Sequence, residues 1–84
     1  MSKKITPIEQ YVINIVRKKR IKAALTQANL ADVLNVSAGF IGKVESGRYP
    51  SKYNINHINK LSKYFKCSPQ SFLPSQSIKN DKQK

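Results

Sequence analysis

The chain has 84 residues, 39% of them hydrophobic, and 16 Lys and Arg against 4 Asp and Glu give a formal net charge of +12. That is room for one domain with a thin core, and the charge calls for a polyanionic partner. A lone cysteine, Cys67, excludes an internal disulfide and a cysteine-built metal site, no apolar run approaches a membrane span, and the basic start MSKK leads into ITPIEQ rather than a signal-peptide core, so a cytoplasmic location is expected.

The first helix is predicted over residues 7 to 23 or 24. Thr6 is a cap, Pro7 suits the first turn, and Glu9 suits the positive end of the helix dipole. Ile8, Val12 and Val16 are spaced by four and form one apolar stripe, with Ile13 beside it. Arg20 continues that stripe. A charge at a core-facing position needs a partner. The third helix holds one acid, Glu45, directly after the apolar Val44. Arg20 and Glu45 are therefore expected to pair; the alternative is a coincidence of spacing with both groups solvated. Arg17, Lys18, Lys19 and Lys22 crowd the same helix, a larger one-sided excess than a solvated face requires.

Two short helices follow, over residues 27–34 and 38–46. Thr26 caps the first, whose inner face is Leu30, Ala31 and Leu34. Asn29 stands where a capping-box acid would serve, which predicts a weakened cap. Asn35 sits at the chain reversal and tolerates the left-handed conformation. Ser37 caps the second, with Ile41 and Val44 facing inward, and Gly47 ends it. Helices joined this tightly, at about residues 26–46, form a helix-turn-helix.

The loop that comes next combines Arg48, Tyr49, Lys52 and Tyr53 around Pro50. Asn54 caps a fourth helix with an inner stripe of Ile55, Ile58, Leu61, Ser62 and Phe65. Ser68 and Pro69 open a last short helix carrying Phe72 and Leu73, and Pro74 stops it. Residues 1–74 thus read as one domain and residues 75–84 as a polar, basic, mobile tail. His57 reads as an ordinary polar surface residue. No paired carboxylates, activated nucleophile, metal cluster or phosphate-binding glycine loop is present in the sequence, so neither an enzyme nor a cofactor is expected.

With those residues in place, the chain resembles the Xre/Cro-like helix-turn-helix family, which includes the lambdoid phage repressors. The resemblance runs from about residue 16 to 73. It is strongest in LTQANLADVLNVSAGFIGKVESGRYP and again in FKCSPQSFL. It implies an all-α, compact five-helix domain that binds double-stranded operator DNA, commonly as a homodimer. It also implies an ion pair at Arg20 and Glu45, and a bacterial or phage-encoded protein acting at the nucleoid. Lys66 stands where the family has a turn glycine, and the loop after Gly47 is longer than usual.

On this reading helix 38–46 enters the major groove. Its outer face is Ala38, Gly39, Phe40, Gly42 and Lys43, poor in base-reading side chains, so DNA shape is expected to carry much of the selectivity. Gln27 and Ser37, at helix N-termini, are placed for phosphates. Lys43 has a guanine edge or a phosphate as its target, and Phe40 a thymine methyl or a neighbouring helix. Gly39 and Gly42 mark either close approach to DNA or another helix, or simply a weak helix. Arg48, Tyr49, Lys52 and Tyr53 supply phosphate or minor-groove contacts, and Arg17 and Lys18 add phosphate contacts from the first helix. Phe72, Leu73 and Ile78 are the expected dimer surface. The leading expectation is a transcriptional regulator, a repressor by preference. The alternative is an antitoxin-type module that binds a protein partner as well as its own promoter.

Overall fold

The computed structural model describes residues 5–79. The start MSKK and the last five residues of the expected tail lie outside the described residues. Four α-helices follow in order: α1 Pro7–Lys22, α2 Gln27–Leu34, α3 Ala38–Ser46 and α4 Ile55–Phe65. No strand occurs among the described residues. The expected fifth helix is a single 3-10 turn, Pro69–Phe72. Pro69 opens it and Pro74 follows closely, which leaves too few residues for an α-helical ladder.

Each α-helix begins on a side-chain cap. Thr6 and Glu9 form a reciprocal box on α1, with bonds of 3.3 and 3.0 Å. Asn29 does the same for α2: its Oδ1 accepts from the Thr26 N–H at 2.9 Å while Thr26 Oγ1 accepts from the Asn29 N–H at 3.0 Å. The reciprocal box is thus complete at α2, with an amide oxygen in the place of the usual carboxylate and without its charge. Ser37 Oγ accepts from the Phe40 N–H at 3.1 Å and starts α3.

The helix ends are less regular. Asn35 takes the left-handed conformation, φ 60° and ψ 45°, and reverses the chain between α2 and α3. Gly47, φ 77°, ends α3. Ala24 and Lys66 also adopt positive φ, 59° and 57°, where a β-carbon is unfavourable. From α4, the Lys60 ammonium donates to the Leu34 carbonyl at 3.4 Å, a cation at the negative end of α2.

The core gathers Ile13 and Val16 of α1, Leu30, Ala31 and Leu34 of α2, Ile41 and Val44 of α3, Ile58 and Leu61 of α4, Tyr53 and Phe72. Two expected stripes shift. On α1 the buried line runs through Ile13 and Val16 toward Arg20, while Ile8 faces solvent. Spacings of three and four together track a helix face, whereas a strict four-residue spacing drifts off it. On α4, Ile58, Leu61 and Ser62 are buried but Ile55 is 80% exposed and Phe65 only half-buried. Phe72 is fully enclosed, so it offers nothing to a dimer surface. No helix among the described residues is long and apolar enough to cross a membrane.

Candidate nucleic-acid interface

The position of α3 is fixed from behind by Glu45. Its carboxylate is 4% exposed and takes a two-bond fork from Arg20 of α1: Nε to Oε2 at 2.8 Å and Nη2 to Oε1 at 2.9 Å. Arg20 Nη1 also donates to the Leu25 carbonyl at 2.7 Å, so one guanidinium ties α1 to α3 and to the connection before α2. The Glu45 hydrogen bond holds Arg20 more firmly protonated than usual, although burial opposes it. A planar guanidinium matches a carboxylate in two bonds as an ammonium cannot.

Two side chains expected to meet DNA are drawn into this knot. The Gln27 amide of α2 donates to Glu45 Oε1 at 3.0 Å. Its carbonyl oxygen lies 3.5 Å from where a β-carbon on Gly42 would stand. Gly42 is therefore the place where α3 passes close to a side chain of α2. With the Gln27 side chain turned to Glu45 and the Asn29 N–H held by Thr26 Oγ1, only the N–H groups of Gln27 and Ala28 are left in the first turn of α2 without a helical acceptor. Arg17 is exposed, with its Nε 3.7 Å from Glu45 Oε1, on the edge of the same knot.

Phe40 turns away from Ala38 and Gly39. Its ring meets Tyr53 at 6.3 Å and His57 at 5.6 Å between centroids, and Tyr53 meets His57 at 5.9 Å. The three rings wedge α3 against the start of α4. His57 is thus more than a polar surface residue. Its Nδ1 accepts the Asn54 N–H at 3.0 Å and closes the α4 capping box. Burial, with Lys60 nearby, holds its imidazole below the usual range. Tyr53 is buried rather than available for phosphates, and burial, then the Glu45 charge, pushes its phenol far up. The sequence carried one signal for this cluster: His57 stands at the capping-box position after Asn54.

What remains toward solvent on and after α3 is a connected strip of Ser37, Ala38, Gly39, Lys43, Arg48 and Tyr49, all exposed. A β-carbon on Gly39 would meet only Ser37 Oγ, at 3.9 Å, so that surface is open. The Lys43 ammonium lies 5.4 Å from the Tyr49 ring centroid, a cation–π contact that holds its charge beside the loop. Lys52 departs from the strip. Its ammonium pairs with Glu9 of α1 at 2.7 Å. Burial raises the Glu9 carboxyl, but Lys52 and the Thr6 backbone N–H outweigh it and hold it below the usual value. No three His, Cys, Asp or Glu side chains gather as a metal ion would need among the described residues.

A family model described as helix-turn-helix matches residues 16–72. No curated protein is significantly similar in sequence. A crystal structure described as a transcriptional regulator from Listeria innocua is similar in fold, with a TM-score of 0.67 and 22% identity. The match covers 83% of this chain and 64% of that one, so this chain spans less than two-thirds of that neighbour's length.

Proposed function

The chain belongs to the Xre/Cro-like helix-turn-helix family, and from that footing we propose that it is a sequence-specific DNA-binding regulator, acting as a repressor and as a homodimer on a palindromic operator. The carrying observation is the outer face of α3. Ser37, Ala38, Gly39 and Lys43 are open to solvent, while the rear of the same helix is clamped by Glu45. A rigid helix with a bare front, on a chain of net charge +12, is built to lie in a groove lined by phosphates.

Within this reading Lys43 is the base-edge residue, because it is the strong donor on that front. The first-turn N–H groups of α2 and α3 hold phosphates, and Arg17, Arg48 and Tyr49 flank them. Selectivity then leans on DNA shape, since Ala38 and Gly39 carry almost no side chain.

The test compares one selected palindromic duplex with random duplex at fixed salt, then varies the salt. A dimer meeting about eight phosphates gives a log–log slope of roughly −7 and a clear preference for the selected site. A slope near zero contradicts DNA binding. A steep slope with no preference leaves a nonspecific polyanion binder instead.

A further inference from the structure

The two tyrosines of the loop after α3 part company. Tyr53 is buried against Phe40 and His57, while Tyr49 stays 44% exposed. A short clip turns the chain at Tyr49 back toward the helix. Ser46 Oγ donates to the Lys43 carbonyl at 3.1 Å and accepts the Arg48 N–H at 3.2 Å. Gly47 supplies the positive φ, 77°, that this reversal requires. Pro50, next in sequence, biases the Tyr49 backbone toward extended conformations. The Tyr49 ring centroid then stands 5.4 Å from the Lys43 ammonium.

We propose that Tyr49 is a positioning residue for base selection: its ring is a shelf that confines the Lys43 ammonium beside the loop, so that the ammonium meets a base edge already ordered. The proposal rests on the base-edge reading of Lys43 above and deepens it. Tyr49 thereby moves from a phosphate flank to the control of selectivity.

A lysine needs such a support where an arginine does not. Its ammonium is a point charge on a flexible stem, with no planar fork to match a base edge. Left free, it reaches a phosphate as readily as a base, and a phosphate carries no sequence information. Among the described residues no carboxylate pairs with Lys43, since Glu45 holds Arg20 and Glu9 holds Lys52. The ring therefore takes the place of an ion pair. Confining the side chain before docking reduces the rotamer entropy lost on binding. That gain falls on sites whose base edge meets the confined ammonium. Random sequence gains nothing, because a phosphate lies within reach whichever way the stem turns. The face of the ring acts here, and tyrosine and phenylalanine share it. The hydroxyl is not required.

The test measures fluorescence anisotropy of the full chain on the selected duplex, on single-base-pair variants of it and on random duplex, at one salt concentration. Lys43→Met identifies the base pair whose preference Lys43 carries. At that pair Tyr49→Ala should lower discrimination by about three- to fivefold, the scale of an exposed cation–π contact. Tyr49→Phe should retain the discrimination of the native chain. Affinity for random duplex should hold within about twofold in both variants, which also shows that they fold. Added to Lys43→Met, Tyr49→Ala should change discrimination no further. In the free protein, ring-current shifts at the Lys43 side-chain methylenes should persist in Tyr49→Phe and vanish in Tyr49→Ala. Equal losses on selected and random duplex make Tyr49 a plain phosphate contact and overturn the shelf alone. A loss with Tyr49→Phe as large as with Tyr49→Ala assigns the effect to the hydroxyl and does the same. If Lys43→Met leaves every base preference intact, the base-edge reading fails and the shelf with it.

Discussion

Arg20 and Glu45, 25 residues apart in sequence, meet through two nearly parallel hydrogen bonds of 2.8 and 2.9 Å on side chains that are 12% and 4% exposed. The pair does more than neutralise charge. It fixes the rotation of α3 about its own axis, because Glu45 lies on that helix's rear face and also takes the Gln27 amide. Losing either partner leaves a buried charge without its counterpart. Arg20→Ala or Glu45→Ala is expected to cost roughly 3–5 kcal/mol, while a joint apolar replacement of similar volume is expected to cost far less. Urea unfolding of the single and double variants measures the coupling. Additive losses would show that the pair contributes no interaction of its own.

Gly39 lies in open space at the front of α3. Gly39→Ala should therefore raise stability by about 1 kcal/mol, through helix propensity alone. If α3 meets DNA closely, the same methyl should weaken specific binding. Thermal unfolding and fluorescence anisotropy on one preparation separate the effects: higher stability with unchanged affinity would place DNA away from this face. Gly42→Ala meets the Gln27 carbonyl oxygen at 3.5 Å, an ordinary contact, and should be tolerated with a smaller gain.

Two helix ends store backbone strain. Ala24 and Lys66 adopt φ of 59° and 57° with a β-carbon in place. Ala24→Gly and Lys66→Gly should each stabilise the fold by about 1 kcal/mol, less the entropy that glycine adds to the unfolded chain. The two sites are distant, so the double variant should show the sum. Denaturant midpoints provide the measurement. A loss of stability at either site would mean that the cap is held by its side chain rather than strained by it.

His57 makes stability depend on pH. Burial, then Lys60, holds its folded value below the ordinary one, so the folded protein takes up a proton less readily than the unfolded chain. Stability is therefore flat well above the ordinary histidine value and falls as pH drops below about 6.5. Protonation also turns Nδ1 into a donor facing the Asn54 N–H, which opens the α4 cap. His57→Gln should flatten this slope between neutral and mildly acid pH in a denaturation series. An unchanged slope would assign the proton uptake elsewhere. Glu9 acts at lower pH, where its depressed value withdraws stability as the Lys52 pair is protonated away.

Much of this molecule was written locally. Thr6, Thr26, Ser37 and Asn54 start their helices because a side-chain oxygen three residues before an orphan N–H satisfies it, whatever the tertiary setting. Asn35 and Gly47 end theirs because they tolerate positive φ. The spacing of Val16, Arg20, Val44 and Glu45 made the ion pair legible, since a charge on an apolar stripe demands a counterpart. Only the packed structure decided the rest. Gln27 turned to Glu45, Lys52 reached Glu9 across 43 positions, and Phe40 joined Tyr53 and His57. These contacts depend on the angles at which helices cross and on which side chain fills the space left between them. Helical periodicity resolves a face to about one residue in four, so it could not say that Ile8 and Ile55 would face water while Ile13 and Ile58 would not. Residue type sets what each position is able to do; the packing of α1 on α3 and of α2 on α3 and α4 set which of those capacities was used.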